Sequence, residues 1–352
     1  MSLKGKALLV ACGWLVLITG LHMWLNVNWA AVLNDFRPPD QRKIVVAYIP
    51  VTCQLTCPVT DYITKFSESG EMYLPRMFQD FASLKEALIS NKVQAAFIVA
   101  PMAIALVAQG VPIKVVYLGH RNGSSLVVRK NGPIKSFTDL RGKTIAIPSR
   151  FSDERLLVYR AEQIFHMQPT DIKMVEMAPP DVAGALASGA IDGFVMGEPF
   201  PAQAEMAGYG RVLIRAKNYW PNYMSCILVV RQDLIDKRPQ VVQTLVDGIA
   251  RSGLWLDTSL PHRDDAADFV GRLYYHQNPS LLRWALTKPM DRIRYTPLAP
   301  NQADFDLVRD LMFETGLLKK KIPFSAYTDT RFADGASTQT AWKYDAGDAV
   351  AR

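Results

Sequence analysis

Short apolar runs and longer amphipathic runs alternate along most of this chain. Runs rich in Val and Ile at 43–49, 93–100 and 111–119 predict buried strands, and helical patterns at 83–90 and 102–110 lie between them. Because predicted strands and helices alternate along the chain, the pattern predicts an α/β fold whose mostly parallel sheets are flanked by helices. Further strands are predicted at 124–130, 143–148, 172–177, 191–196, 211–216 and 226–231. Further helices are predicted at 136–142, 152–165, 179–189, 238–256, 262–276, 279–287 and 301–316.

Residues 1–30 contain a long apolar stretch, from Ala7 to Leu25, preceded by Lys4 and Lys6. At about 1.5 Å per helical residue this stretch just crosses a bilayer core of about 30 Å. The basic residues before it favour a cytoplasmic N-terminus and an exported body. An uncleaved membrane anchor is the favoured interpretation. A cleaved secretory signal and a lipid anchor on Cys12 remain open, and all three export the body.

Two other segments have compositions of their own. Residues 31–42 are polar and contain a Pro-Pro pair, so they predict a short stiff tether between the apolar stretch and the folded body. Residues 333–352 are polar and aperiodic, and they predict a disordered tail.

The bulk composition is that of an ordinary globular protein. The formal charge is +7 and the isoelectric point about 9.1, but the basic residues are scattered and form no long run. We therefore expect no nucleic-acid partner. A mildly basic surface suits an anionic ligand or an anionic membrane face, and a merely solvated surface explains it equally well.

Three cysteines fall in the body: Cys53, Cys57 and Cys226. In an exported protein, a disulfide that includes Cys226 is one interpretation. Free thiols that line a cleft are another, and a soft-metal site at the Cys53/Cys57 pair is a third. The spacing does not match a zinc site, so we expect no bound metal.

Several segments, in order, resemble the periplasmic substrate-binding proteins of the nitrate, sulfonate, taurine and bicarbonate ABC importers, which are related to thiamine-pyrimidine-precursor binding proteins. The resemblance covers about residues 43–320. It rests on the order and spacing of six segments. These are VAYIPVT (46–52), the helix SLKEALIS (83–90), VQAAFIVAPMAIALVAQGVPIKVV (93–116), SFTDLRGKTIAIPSRFSDERLL (136–157), ALASGAIDGFVMGEPF (185–200) and ILVVRQDLIDKRPQVVQTLVDGIARS (227–252).

The resemblance implies a two-lobed, type II periplasmic-binding-protein fold, preceded by the N-terminal transmembrane helix. Lobe 1 would hold residues 43–123 and 227–300, and lobe 2 residues 124–226. Helices at 301–332 would pack on lobe 1. The chain would cross between the lobes near Asn122-Gly123 and Ser225-Cys226, and the lobes would close over a ligand by a hinge motion.

Ligands in α/β folds bind where loops follow the carboxyl ends of parallel strands. Here these loops supply Thr and Cys side chains, a helix N-terminus after Ala100, an Arg suited to an anionic group, and a Glu suited to an amine or hydroxyl. For Arg150 a surface ion pair is the alternative, and for Glu198 a salt bridge between the lobes. The predicted ligand-binding residues are Thr52, Cys53, Thr56, Cys57, Pro101, Met102, Ser149, Arg150, Ser152, Glu198 and Asn222.

The resemblance implies the solute-binding component of an ABC importer on the periplasmic side of the cytoplasmic membrane. Its partners would be a small anionic or zwitterionic molecule, an ABC permease with its ATPase, and the inner membrane through the N-terminal helix. We expect a monomer with no cofactor and no catalytic activity, since no nucleophile–base or nucleotide-binding motif occurs. A ligand sensor for a membrane receptor is the alternative, and an enzyme of the same fold is a weaker one.

Overall fold

The computed structural model describes residues 2–27, 29–38, 40–66, 70–336 and 339–344. The chain forms two compact units, Met1–Lys43 and Ile44–Arg352. Each unit is described separately.

The first unit contains two helices, α1 (Leu3–Asn26) and α2 (Trp29–Asp35). Within the described residues, Leu9–Asn26 is long and apolar enough to cross a membrane, as a signal or an anchor would be. In the segment 31–42, which was predicted to be a short stiff tether, residues 31–35 belong to α2. The Asn34 side chain then ties the loop back, since its amide donates to the Lys43 carbonyl and accepts from the Lys43 N–H at 2.9 and 2.8 Å.

The second unit is built on short, buried strands whose Val, Ile, Ala and Phe side chains fill the core. In chain order the strands are β1 (Val45–Tyr48), β2 (Leu74–Met77), β3 (Ala95–Ile98), β4 (Ile113–Asn122), β5 (Ser124–Arg129), β6 (Thr144–Ile147), β7 (Lys173–Glu176), β8 (Gly193–Gly197), β9 (Gly210–Arg215), β10 (Met224–Arg231) and β11 (Ile293–Arg294).

Helices cover these strands. They are α3 (Thr56–Lys65), α4 (Phe81–Ile89), α5 (Ala100–Ala108), α6 (Asp153–Ile164), α7 (Val182–Ser188), α8 (Phe200–Met206), α9 (Ala216–Tyr219), α10 (Gln232–Lys237), α11 (Pro239–Thr258), α12 (Leu260–Val270), α13 (Pro279–Thr287), α14 (Gln302–Glu314), α15 (Phe324–Tyr327) and α16 (Arg331–Ala336). The segment predicted as a helix at 136–142 forms a single 3₁₀ turn at Phe137–Leu140.

The strands form two mixed sheets flanked by helices, in agreement with the predicted two-lobed α/β fold. The first sheet has the order β11-β4-β10-β3-β1-β2, and the second has the order β7-β6-β8-β5-β9. In each sheet the strands on one side are parallel, while β10 in the first and β5 in the second pair antiparallel with their neighbours. The antiparallel strands are those next to the crossings between the sheets.

The first crossing is one residue long, because Gly123 alone separates β4 from β5. Two features require glycine at position 123. Its φ is 84°, in the left-handed region, and a Cβ there would lie 2.6 Å from Cε1 of buried His120. The second crossing lies earlier than predicted. Cys226 belongs to β10 and pairs with His120 of β4, so the chain crosses between β9 and β10, within residues 216–223.

The segment after α15 differs from the predicted disordered tail. Residues 331–336 form α16, and Trp342 is buried with its indole N–H donating to Ser252 Oγ of α11 at 2.9 Å. The Trp255 indole in turn donates to the Tyr344 carbonyl. A polar sequence thus packs because Trp342 anchors it. Residues 337–338 and 345–352 of the predicted tail lie outside the described residues.

Candidate functional site

The carboxyl ends of β2, β3, β6 and β7 surround a crevice of about 660 Å³. One wall comes from α4 and from one face of α5, from Met102 to Gln109, next to the first sheet, and the other from the loops after β6 and β7 of the second sheet. The volume falls in the range typical of small-molecule sites. We call this space the outer crevice; its lining includes Asp80, Met102, Ser149, Arg150, Phe151 and Glu176.

The outer crevice carries charges of both signs. Asp80, Glu86 and Glu176 offer carboxylates, and Lys85 and Arg150 offer cations. The Arg150 guanidinium lies 5.3 Å from the centre of the Phe151 ring, so the side chain is oriented by its neighbour while its charge stays exposed. The structure thus brings together three predicted residues, Met102, Ser149 and Arg150.

A second group of polar side chains is fully buried between the sheets. The Thr52 N–H and hydroxyl both donate to the Glu198 carbonyl, at 2.8 and 3.2 Å, and its Oγ1 lies 3.2 Å from His120 Nε2. Burial lowers the pKa of His120 to about 3, so its imidazole is neutral at physiological pH. We call Thr52, His120, Ser124, Asp153, Glu154 and Tyr223 the inner cluster.

Two carboxylates dominate the inner cluster. Asp153 Oδ2 accepts from the Ala100 N–H at 3.2 Å, and Glu154 Oε1 accepts from the Ser124 hydroxyl at 2.9 Å. Burial raises the pKa of both carboxyl groups, and the neighbouring Glu154 raises that of Asp153 further. Four polar atoms of the cluster have no partner with hydrogen-bond geometry in the part of the chain that the structure describes: Asp153 Oδ1, Glu154 Oε2, His120 Nδ1 and the Tyr223 hydroxyl.

The inner cluster adjoins the outer crevice. Ala100 and Met102 lie in the first turn of α5. Ala100 contacts Asp153, and Met102 lines the outer crevice. Likewise, Arg150 and Phe151 precede α6, and Asp153 and Glu154 begin it. The N-termini of α5 and α6 therefore lie beside each other, and the acidic inner cluster adjoins residues that line the outer crevice.

Glu198 occupies the position predicted, but its carboxylate already has protein partners. Oε1 accepts from Arg292 Nη1 at 2.7 Å and Oε2 from the Ala202 N–H at 3.0 Å. Arg292, which precedes β11 of the first sheet, also donates to Glu205 of α8 at 2.9 Å. The structure thus favours the alternative given for Glu198, a buried salt bridge between the lobes.

The cysteines are free thiols in this structure. Cys53 and Cys226 are buried next to each other beside the inner cluster, and burial, followed by the neighbouring thiol, raises the pKa of Cys226. The Gln54 amide donates to Cys226 Sγ at 3.5 Å. Cys57 lies apart from this pair, in a region where its carbonyl accepts from the Tyr73 hydroxyl at 2.6 Å. Of the three interpretations, a disulfide, free thiols and a soft-metal site, the structure matches free thiols.

The remaining predicted residues have local roles. Ser152 caps α6 by accepting from the Arg155 N–H at 3.3 Å, and Pro101 is buried in the first turn of α5. Thr56 is buried in the first turn of α3. Asn222 is exposed and has a positive φ, and its carbonyl accepts from Arg121.

Sequence reasoning missed the carboxylates of the inner cluster. Asp153 and Glu154 directly follow the predicted cap Ser152, and acidic residues in a first helical turn usually only complement the helix dipole. The sequence feature that could have identified Asp153 and Glu154 is their position: they follow the end of a strand, in a loop that was already predicted to contact the ligand. The same argument would have included Ser124 and Tyr223, which flank the two crossings.

A model of the NMT1-like family matches residues 37–271, about two thirds of the chain, and the chain belongs to that family. A taurine-binding periplasmic protein of Escherichia coli is 32% identical over 202 residues, which cover 54% of this chain and 61% of that relative. The chain spans less than two thirds of the length of this and the next curated relatives that it matches.

Solved structures share the fold. The periplasmic nitrate-binding protein NrtA from Synechocystis has a TM-score of 0.75 at 14% identity, covering 87% of this chain and 93% of that one. The desulfurization enzyme DSZB has a TM-score of 0.60 at 15% identity, with 84% and 98% covered. The predicted family and two-lobed fold are confirmed. The fold is mainly that of binding proteins, and at least one enzyme shares it.

Proposed function

We propose that this protein is the solute-binding component of an ABC importer, which captures a small molecule between its two lobes and delivers it to a permease. The observation that carries the proposal is the outer crevice, which is formed jointly by strand-end loops of two sheets joined through short crossings. Such an arrangement allows the walls to approach or separate by small backbone rotations at the crossings.

In this proposal the protein works on the periplasmic side of the cytoplasmic membrane. The apolar helix within Leu9–Asn26 supports export, as either an anchor or a signal. An anchored monomer would hold the crevice close to the permease and so raise the effective concentration of loaded protein there.

Binding without turnover is part of the proposal. Among the described residues, His120 is a buried imidazole that lies beside a hydroxyl, with Nε2 3.2 Å from Thr52 Oγ1. A pKa of about 3 makes this imidazole a weak proton acceptor at neutral pH, so it is poorly suited to activating a nucleophile. The likeness to DSZB keeps an enzyme as the second candidate.

Native mass spectrometry of the freshly purified full-length protein tests the main proposal. We expect one small molecule bound per chain, released unchanged on denaturation. Small-angle scattering should show a smaller radius of gyration when the released molecule is added back to stripped protein. Chemical conversion of that molecule by the protein would favour the enzyme, and a chain that binds no solute under any condition would overturn the proposal.

Cross-linking in membranes separates the importer from the sensor. We expect the protein to cross-link to a permease that has an associated ATPase. Recovery of a receptor with a signalling domain in place of the permease would favour the sensor.

A further inference from the structure

We infer that the interlobe site recognises a hydrogen-bond donor of its ligand, namely a protonated amine or a ring N–H, through Asp153 and Glu154. The inference rests on the proposed function and narrows the ligand to a cationic or zwitterionic organic molecule. It excludes a bare oxyanion such as nitrate as the preferred ligand.

The first argument is the use of the α5 N-terminus. A helix N-terminus is a ready site for an anion, and Ala100, at the start of α5, is one of its free donors. In this chain the Ala100 N–H already donates to Asp153 Oδ2, at 3.2 Å. The next residue is Pro101, which has no N–H to offer. A carboxylate of the protein thus takes the place that a ligand anion would otherwise occupy.

The second argument is the set of unpartnered acceptors. Asp153 is 1% exposed and Glu154 is 3% exposed, yet Asp153 Oδ1 and Glu154 Oε2 have no donor with hydrogen-bond geometry among the described residues. Buried carboxylate oxygens are normally satisfied, and leaving two adjacent ones unpaired is costly. Both oxygens accept and neither can donate when ionised, so the complementary group is a donor.

The third argument is the charge around the two carboxylates. Among the described residues, the ionisable side chains that interact with them are Tyr223 and the Cys226 thiol, and the imidazole of His120 in the same cluster is neutral. Arg292 is already paired with Glu198 and Glu205. Burial raises the pKa of both Asp153 and Glu154, which is the expected behaviour of acids that lack a cation in the structure.

The outer crevice gives the ligand an orientation. Arg150 lines it, three residues before Asp153 and on the solvent side of α6. A zwitterion would place its ammonium group at the inner cluster and its anionic end toward Arg150. The positive group of the ligand would thus lie deep in the cleft and its negative group near the solvent. A site in which a helix N-terminus binds the anion deep in the cleft has the opposite arrangement.

Matched compounds that differ only in the ammonium group test the inference. Titration of the full-length protein with taurine and ethanesulfonate, with β-alanine and propionate, and with nitrate gives affinities for each pair. We expect the aminated member of a pair to bind more tightly than its partner and nitrate to bind weakly or not at all. Equal affinity for both members, or preferential binding of nitrate, would overturn the inference while leaving the proposed function standing.

Two isosteric variants locate the effect. Asp153→Asn keeps an acceptor for the Ala100 N–H, and Glu154→Gln keeps one for Ser124. We expect each to weaken binding of the aminated compound by roughly 30-fold or more, because a buried charge pair loses one partner. The affinity for the deaminated compound should change far less, so the ratio of the two affinities should fall toward one.

The ratio separates recognition from a structural role, since a distorted site would weaken both compounds alike. Asp268→Asn on the exposed face of α12 is the matched control and should leave the ratio unchanged. An unchanged ratio in both Asp153→Asn and Glu154→Gln would overturn the inference. If no compound of either kind binds and no solute co-purifies, the proposed function fails together with it.

Discussion

Single side chains show where sequence reasoning about the site succeeds and where it ends. Met102, Ser149 and Arg150 were predictable because each follows a strand end, and all three line the outer crevice. Glu198 also follows a strand end, but its carboxylate pairs with Arg292, which lies 94 residues away, and no local pattern connects the two residues. Asp153 was overlooked because its contact with Ala100 exists only once the two helix N-termini meet.

Glu162 of α6 provides a test at this scale. It lines a separate cavity of about 340 Å³ with Arg155 and Glu314, and its two carboxylate oxygens have no hydrogen-bond partner among the described residues. Burial, followed by the charge of Asp171, raises the pKa of Glu162 to about 7. The folded state therefore holds this proton more tightly than the unfolded state does.

A carboxyl whose pKa is raised on folding loses its stabilising effect as the pH rises through the folded value. We therefore expect the free energy of unfolding to fall between pH 4.5 and 7, and Glu162→Gln to remove that part of the fall. At pH 8 the variant should be more stable than the wild type by about 2 kcal/mol, less than the full linkage value because the cavity is open to solvent. Urea unfolding of both proteins across this pH range measures the difference. Parallel plots of unfolding free energy against pH for the two proteins would contradict the prediction.

At the scale of elements, most strands and helices follow from hydrophobic periodicity, and the exceptions have physical reasons. Strand β2, with the sequence Leu-Pro-Arg-Met, was not predicted because a proline and an arginine interrupt the apolar run, which an edge strand tolerates. The second crossing was predicted near Ser225-Cys226, too late in the chain. Residues 224–226 have the same β propensity as the rest of β10, so the sequence does not show that β10 already begins at Met224. The segment at 339–344 was misjudged because its packing depends on a single tryptophan.

The crossing at Gly123 can be tested against a second glycine. Gly123 and Gly142 both have positive φ, 84° and 72°, but a Cβ at Gly142 would meet nothing within 4 Å. We expect Gly142→Ala to cost about 1 kcal/mol for the backbone conformation alone. Gly123→Ala adds a collision with His120 and should cost about 2–4 kcal/mol.

Thermal unfolding of the two variants measures the difference. Because Gly123 joins the two sheets, its variant should also bind the co-purified solute more weakly, whereas Gly142→Ala should bind normally. Equal destabilisation of the two variants would show that His120 moves aside at little cost and that the crossing is not tightly packed.

At the scale of the whole molecule, a buried ion network joins the two sheets. Arg292 is 4% exposed and bridges Glu198 and Glu205, at 2.7 and 2.9 Å. Removing the guanidinium leaves the Glu198 carboxylate buried with its main charge partner gone. We expect Arg292→Met to lower the free energy of unfolding by about 3–5 kcal/mol.

Arg272→Met is the matched control, because Arg272 pairs with Asp268 on the surface at a similar distance, 2.7 Å. An exposed pair contributes little, so this variant should lose less than about 1 kcal/mol. Urea unfolding of both proteins at the same pH gives the comparison. A loss for Arg292→Met no larger than for the control would contradict a structural role for the network.

Ser252 of α11 connects distant parts of the chain, since its hydroxyl lies 2.7 Å from Thr60 Oγ1 and accepts from the Trp342 indole, 90 residues further on. The Arg251 guanidinium stacks at 3.7 Å over the same indole. A ribosome must therefore release Trp342 before α3 and α11 acquire their final cover. Until then the hydrogen bonds from Trp342 to Ser252 and from Trp255 to Tyr344 cannot form, so a nascent chain stalled before that tryptophan would be a natural client for a holding chaperone.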